Sequence, residues 1–193
     1  MIVNNLLVVL STLYGIGSTA DNAFDQATRP NVFPRALPRQ WTNAEYQTLT
    51  NYFPNLLIEA GRARPAFNIQ VVAEASRTYN CLAYALGFTD RDIDPSAYGE
   101  EVRWNTVDAQ GRPVVASTQY VTAEGIVRLL GEYGYVSCPK EEADIDMYGK
   151  WVTREDGKLH FYPTHSARAY GSRNYAVSKI GNMVAISHPR DGL

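Results

Sequence analysis

The stretch Asn80-Cys81-Leu82-Ala83-Tyr84-Ala85-Leu86-Gly87 decides the fold of this chain, because it predicts a short helix that begins at a cysteine. Asn80 is a favourable N-cap, which places Cys81 at the first helical position, and Gly87 suits the C-cap. The N-terminus of a helix stabilises a thiolate, so Cys81 is a candidate nucleophile. The alternative is a small buried side chain of purely structural character.

A second stretch, Thr164-His165-Ser166-Ala167-Arg168, lies further along the chain and predicts a strand. With the two-residue period of a strand, His165 shares a face with Phe161 and Ala167, so it is either a buried core residue or a catalytic base. A cysteine and a histidine that are distant in sequence but close in space are typical of cysteine hydrolases. We therefore expect Cys81 and His165 to form a nucleophile–base pair.

A third polar group is needed to orient the imidazole of His165. Ser178 and Asn182 are the nearest candidates, and the sequence does not choose between them. His188, which precedes Pro189, is predicted to lie in a turn. The weaker candidates for the third group are Asn174, Asp144 and Asp146. The residues predicted to contact substrate flank the pair and are Asn80, Tyr84, Thr164 and Arg168.

Composition excludes several classes of function. The 193 residues are enough for one domain with a hydrophobic core. The net charge of −2 gives no basic footprint, so we expect no nucleic-acid partner. The sequence contains no glycine-rich phosphate loop, and its 3 histidines lack the spacing of a metal site. We therefore expect no cofactor and no metal.

Residues 1–20 predict a secretory signal peptide. An apolar run extends from Leu6 to Tyr14, no charged side chain precedes Asp21, and the small residues Ser18-Thr19-Ala20 suit cleavage after Ala20. The run is too short to span a membrane, so we expect an extracellular protein with no stable membrane anchor after cleavage. The alternative is an intracellular protein without enzymatic activity, in which this segment is a buried strand or helix.

The two cysteines, Cys81 and Cys138, leave a second function open. In a secreted protein an even pair suggests a disulfide, and a bridged Cys81 is not a resting nucleophile. The protein would then be a secreted non-catalytic module. Two such widely spaced cysteines are not a zinc pattern, and the residues alone do not decide between a bridge and two thiols.

The rest of the chain predicts one α+β domain over residues 41–193, preceded by an extended lead-in over residues 21–40. Thr42 and Glu45 form a capping box that opens a helix to about Phe53, and Thr122 opens a second helix that ends at Gly134. The polar segment 89–104 predicts a long loop at the border of a cleft. The stretch 68–73 predicts either a short strand or an approach loop, and antiparallel strands are predicted in the last third over 147–152, 159–169 and 175–180.

In their order and spacing, these motifs resemble an uncharacterised domain family of bacteria and fungi. The motifs that carry the resemblance are Asn80–Gly87, Gly134–Cys138, Thr164–Arg168, Ser178–Gly181 and Ile186–His188. The resemblance covers roughly residues 40–190, and Tyr84 stands where the family favours tryptophan. We expect relatives to continue into a further strand beyond the equivalent of Leu193. The family implies no settled activity.

The order of a cysteine on a helix and a histidine on a strand is similar to that of papain-like folds of the cell-wall amidase type. This layout implies N-terminal helices packed on an antiparallel sheet formed by the C-terminal third. It also implies a secreted cysteine hydrolase whose substrate contains an amide. Cys81 would attack the amide, His165 would transfer the proton, and the backbone N–H of Cys81 would hold the oxyanion. The sequence determines neither the substrate nor the oligomeric state.

Overall fold

A seven-stranded antiparallel sheet forms the centre of the molecule. The computed structural model describes residues 15–18, 39–53, 56, 69–170, 174–190 and 192–193. In chain order, the described strands are β1 (Gly15–Ser18), β2 (Gln70–Ala73), β3 (Gly99–Val107), β4 (Pro113–Val121), β5 (Tyr135–Cys138), β6 (Ile145–Thr153), β7 (Leu159–Tyr170), β8 (Tyr175–Lys179) and β9 (Ala185–Pro189). The large sheet has the order β2-β9-β8-β7-β6-β1-β5, and β3 and β4 form a separate ribbon.

Three α-helices are described, and each begins at the residue that the sequence predicts. They are α1 (Asn43–Tyr52), α2 (Cys81–Leu86) and α3 (Ala123–Glu132). Thr42 and Glu45 form the predicted capping box: the Thr42 hydroxyl accepts from the Glu45 N–H, and the Glu45 carboxylate accepts from the Thr42 N–H. Gly87 ends α2 with a φ of 91°, a conformation that disfavours side chains with a Cβ. The predicted C-cap Gly87 is confirmed, and so are the predicted N-caps, which are Thr42, Asn80 and Thr122.

The sheet is covered on both faces, because neighbouring residues of a strand belong to different buried clusters. Ala185 packs with the side chains of α2 and α3, whereas Ile186 packs with Leu49 of α1. We call these two sides the α2 face and the α1 face. Strand residues of the α2-face cluster include Ala73, Ile145, Met147, Phe161, Val177 and Ala185. Those of the α1-face cluster include Val71, Tyr148, Ala167, Ala176 and Ile186.

A β-bulge interrupts the pairing of β6 with β7. Gly149 pairs with Pro163 and Tyr148 pairs with His165, so Thr164 is an extra residue on β7. A bulge places two residues of one strand opposite one residue of its neighbour, and the alternation of faces is broken at that point.

The bulge separates residues that the two-residue period places together. Phe161 lies on the α2 face, but Ala167 lies on the α1 face, and His165 points to the same side as Ala167. The expectation that Phe161 and His165 share a face is therefore wrong. Its physical reason is the extra residue Thr164 between them.

The β3–β4 ribbon corrects a second expectation. The ribbon pairs continuously from Gly99 with Val121 to Val107 with Pro113. The predicted loop over residues 89–104 therefore ends at Gly99, where a strand begins. The β-branched residues of β3 favour an extended chain. The polar residues between them make the segment resemble a loop in the sequence, which is why a strand was not predicted.

The α+β class, with helices packed on a C-terminal antiparallel sheet, is confirmed. Strands β6 to β9 are the consecutive core of this sheet, and β1, β2 and β5 extend it. Residues 15–18 of the predicted signal form β1, which is hydrogen-bonded to β5 and β6. The other residues of the signal, and residues 21–38 of the predicted lead-in, lie outside the described residues. Among the described helices, none has the length and apolar character needed to cross a membrane.

Candidate functional site around Cys81

Cys81 is half-buried at the first position of α2. The side chain of Asn80 holds this end of the helix in place. Its Oδ1 accepts from the Ala83 N–H at 2.9 Å, and its Nδ2 donates to the Ile93 carbonyl at 2.7 Å. Asn80 is predicted to contact substrate, but in the structure its Oδ1 caps α2 and its Nδ2 binds the loop at Ile93.

Lys179 brings a buried positive charge to this end of α2. Its side chain is fully buried, and Nζ donates to the carbonyl oxygens of Ser76 at 3.0 Å, Gly181 at 2.5 Å and Met183 at 2.5 Å. Three acceptors require three N–H bonds, so the amine is an ammonium. Nζ also lies 5.4 Å from the ring centroid of Tyr79, which stands two residues before Cys81.

Three effects act on the pKa of Lys179. Burial lowers the pKa of Lys179, and the negative charges of Cys81 and Asp92 act in the opposite direction. An ammonium fixed by backbone carbonyls attracts an anionic sulfur, and the attraction is stronger in a partly buried site than in water.

His165 lies on the other face of the sheet. Its ring centroid is 5.5 Å from that of Phe53, which follows α1, and 6.2 Å from that of Tyr148. The ring is buried, and Nε2 has no hydrogen-bond partner. Burial lowers the pKa of His165 to about 4, so the imidazole is neutral at pH 7. The structure does not bring His165 and Cys81 together, because the bulge at Thr164 turns the histidine away from α2.

Ser178 orients a different histidine. Its Oγ lies 2.7 Å from Nε2 of His188, and Nδ1 of His188 lies 2.7 Å from the carbonyl oxygen of Pro189. A carbonyl only accepts, so Nδ1 carries the proton and Nε2 accepts from the Ser178 hydroxyl. Burial lowers the pKa of His188 to about 4, although the hydrogen bond to Pro189 raises it. His188 belongs to β9, and the expectation that it lies in a turn is wrong.

Of the other predicted site residues, two make contacts inside the protein and two are exposed on its surface. Tyr84 is buried and stacks on Tyr79 with ring centroids 5.6 Å apart, and Nη1 of Arg168 donates to the Ala85 carbonyl at 3.2 Å. Both therefore fasten α2 to its surroundings. Thr164 and Asn182 are exposed, at the bulge and in the turn between β8 and β9. The structure does not bring Asn182 to His165.

Sequence reasoning missed two residues on the α2 face, Lys179 and Ser166. Lys179 stands between apolar strand residues, and a charged residue in such a run is a signal for a buried, partnered charge. Ser166 is 1% exposed, and its Oγ has no hydrogen-bond partner. No sequence signal marks it, since its face depends on the bulge.

Cys81 and Cys138 both lie in the described part of the chain, and no disulfide joins them there. A bridge needs Cα atoms within about 7 Å of each other. Strand β5, which carries Cys138, is three or four strand spacings from the strands under α2, or about 14–19 Å. Within the described residues, no cluster of three or more histidine, cysteine or acidic residues could hold a metal ion.

Comparison with known proteins identifies a family but no activity. No curated protein and no solved structure matches the chain. One family model, a domain of unknown function, matches residues 70–193. The matched region contains α2, α3 and every described strand except β1, and it includes Cys81, His165 and Lys179. The chain therefore belongs to the DUF7689 family.

Proposed function

We propose that this protein is a thiol-dependent hydrolase that cleaves an amide or a related acyl bond through Cys81. One observation carries the proposal: Cys81 is a free, half-buried thiol at the first position of α2, and the Lys179 ammonium is held on the Ser76 carbonyl of the loop that leads into this helix. The thiolate is the nucleophilic form of cysteine, and a neighbouring cation stabilises it. The order of a cysteine helix and an antiparallel sheet supports a papain-like layout, in which Lys179 takes the electrostatic role expected of the imidazole.

The proposed reaction has two steps. Cys81 Sγ attacks the carbonyl carbon, and the oxyanion accepts a hydrogen bond from the backbone N–H of Cys81, one of the first-turn donors that a helix leaves unused. The C–N bond breaks, and the leaving amine takes a proton from solvent, because His165 lies on the other face. Water then attacks the thioester carbonyl, the C–S bond breaks, and the carboxylic acid is released as the Cys81 thiol is regenerated.

A second candidate function is a non-catalytic module. It is favoured by the position of His165 and Ser178, which were expected to act with Cys81 but lie on the α1 face. In this case Cys81 is a packed side chain beside a structural lysine. Secretion, and cleavage after Ala20, stay predictions; such cleavage would remove β1 from between β5 and β6.

Alkylation kinetics distinguish the two functions. In a Cys138→Ser background, the rate of iodoacetamide alkylation of Cys81 is measured from about pH 5 to about pH 9 and compared with that of a free cysteine peptide. We expect Cys81 to react faster than the peptide near neutral pH. Lys179→Met should slow the reaction about tenfold, and Lys179→Arg should slow it less, because the charge remains. Lys150→Met, which removes a lysine beside Tyr120, should leave the rate unchanged.

A stoichiometric burst tests the covalent step directly. With the acyl probe p-nitrophenyl acetate, the hydrolase should release about one equivalent of nitrophenol per chain before steady turnover. Cys81→Ser should abolish the burst, and Cys138→Ser should retain it. Alkylation of Cys81 at the rate of the free peptide, together with no burst, would establish the non-catalytic module.

A further inference from the structure

Strand β4 presents one of its edges to solvent. It pairs with β3 on one side, and within the described part of the chain no strand pairs with its other side. Its exposed residues are Pro113, Val114, Val115, Ser117, Thr118 and Gln119. Because a two-stranded ribbon is only marginally stable by itself, pairing with a further strand would stabilise it.

The composition of β4 does not protect this edge. Natural edge strands are usually short, charged or covered, which prevents them from pairing with another chain. Strand β4 has nine residues, and none of them is charged. Pro113 lacks an N–H but stands at one end of the strand. Val114 and Val115 are 39% and 47% exposed, on opposite faces of the ribbon. The edge is therefore long, uncharged and open to pairing.

The hydrogen bonds of the ribbon show which backbone groups of β4 point away from β3. Beside the turn, the Asp108 N–H donates to the Arg112 carbonyl at 3.0 Å. Hydrogen-bonded and non-hydrogen-bonded pairs alternate along an antiparallel ladder, so Arg103 and Ser117 form a non-hydrogen-bonded pair. The Arg103 carbonyl agrees with this pattern, because it points outwards and accepts from the Glu155 N–H at 3.2 Å. The N–H and C=O of Ser117 therefore point away from β3.

The outward groups of β4 are arranged symmetrically about its midpoint. By the same alternation, Val115 and Gln119 also direct their N–H and C=O groups away from β3. They stand two residues before and two residues after Ser117, which is the central residue of β4. When two copies of β4 run antiparallel about a two-fold axis at Ser117, Val115 of each copy lies opposite Gln119 of the other. Each outward N–H then faces an outward C=O, and no like charges are opposed.

We infer that this protein forms a two-fold symmetric dimer in which β4 pairs with β4 of a second copy. The two ribbons then continue into one four-stranded antiparallel sheet. A two-fold interface uses the same surface on both copies, so that surface must be complementary to itself, and the uncharged, symmetric edge of β4 meets this requirement. The strand contains its own complement, and for that reason a second copy is the partner rather than an unrelated peptide. The inference goes beyond the proposed function and does not depend on the chemistry of Cys81.

The test is sedimentation velocity of the full chain over a wide range of protein concentration. The wild type should be a dimer at high concentration and should dissociate on dilution. Ser117→Lys and Ser117→Glu each place two like charges opposite each other at the axis, so each variant should dimerise at least about tenfold more weakly. An equimolar mixture of these two variants should dimerise again, because opposite charges then meet. Recovery in the mixture also shows that both variants are folded. Val107→Lys, at an exposed position on β3, is the control and should leave the dimer intact.

Amide hydrogen exchange gives a second readout within the strand. In the dimer, the N–H groups of Val115, Ser117 and Gln119 should be protected, and dilution to the monomer should remove this protection. The Thr118 N–H points to β3 and should stay protected at both concentrations. A wild-type chain that is monomeric at every concentration would overturn the inference. So would a dimer that persists unchanged in Ser117→Lys and Ser117→Glu, because it would use another surface.

Discussion

Phe161 and His165 lie on opposite faces of β7, although four positions separate them in the sequence. In a regular strand they would share a face, and His165 would point towards α2. The extra residue Thr164 reverses the alternation, so His165 contacts Phe53 on the α1 face. One residue thus decides whether the predicted base and nucleophile meet.

Gly149, on β6 opposite the bulge, allows the close approach of β7. A Cβ at this position would overlap the carbonyl oxygen of Tyr162 and lie 2.9 Å from Cζ of Phe161. Gly149→Ala should therefore lower the free energy of unfolding by about 2–3 kcal/mol, measured by urea denaturation. Gly131→Ala in α3 is the control, because its Cβ meets no atom within 4 Å. It should be neutral or stabilise by up to about 1 kcal/mol, and equal losses in the two variants would contradict this account.

Deletion of Thr164 should be tolerated. Pro163 and His165 already pair with the consecutive residues Gly149 and Tyr148, so removal of Thr164 leaves a regular ladder with every side chain on its present face. We expect cooperative unfolding with a stability change of about 1 kcal/mol or less. Deletion of Ser166 is the control, because it forces one segment of β7 to the wrong face and should abolish cooperative unfolding. Loss of structure in the Thr164 deletion would show that the bulge itself is required.

The parts of the fold that the sequence predicts are those that depend on interactions between residues close together in the chain. Each helix is capped by a side chain that accepts a hydrogen bond from the backbone N–H three residues later. The capping residues are Thr42, Asn80 and Thr122. Because these bonds are local, the sequence predicts where each helix begins. The insertion of β1 between β5 and β6 depends on pairing between distant segments. No local pattern encodes such pairing.

The same distinction applies to the candidate site. The position of Cys81 at a helix start is local and was predicted. The face of His165 depends on the approach of β7 to Gly149, which is a contact between strands. The role of Lys179 depends on carbonyl groups from two separate loops, one before α2 and one between β8 and β9. Both features arise from tertiary structure, and for that reason the sequence predicted the nucleophile but not its surroundings.

A buried ion pair joins the end of the chain to β6. Arg190 donates from Nε and Nη2 to the carboxylate of Asp146, which is fully buried, and from Nη2 to the Lys140 carbonyl at 2.9 Å. Arg190→Met leaves the carboxylate without its cation and should lower the free energy of unfolding by about 3–5 kcal/mol. The double variant Asp146→Leu/Arg190→Met removes both charges and should be more stable than Arg190→Met alone. If the double variant is less stable, the ion pair is not the source of the loss.

The stability of this protein should fall in mild acid because of two buried histidines. Burial lowers the pKa of His165 and of His188 to about 4, below the value of 6.5 that applies when they are unfolded. Between these values the unfolded chain binds more protons, so stability is complete above about pH 6.5 and falls towards pH 4. At pH 5 each histidine should cost about 2 kcal/mol relative to pH 7.5. Glu45, whose pKa is lowered to about 2 by Arg39, affects stability only at lower pH.

The variant His165→Leu separates the contribution of His165 to the acid-dependent loss of stability from that of His188. The variant removes a ring whose Nε2 has no partner and places an apolar side chain beside Phe53 and Tyr148, so stability at pH 7.5 should be equal or higher. Urea denaturation at pH 7.5 and pH 5 should show that the acid-dependent loss is smaller than in the wild type by about 2 kcal/mol. Wild-type acid sensitivity in His165→Leu would contradict its burial on the α1 face, and so would slower alkylation of Cys81, because a histidine on that face does not act on the thiol.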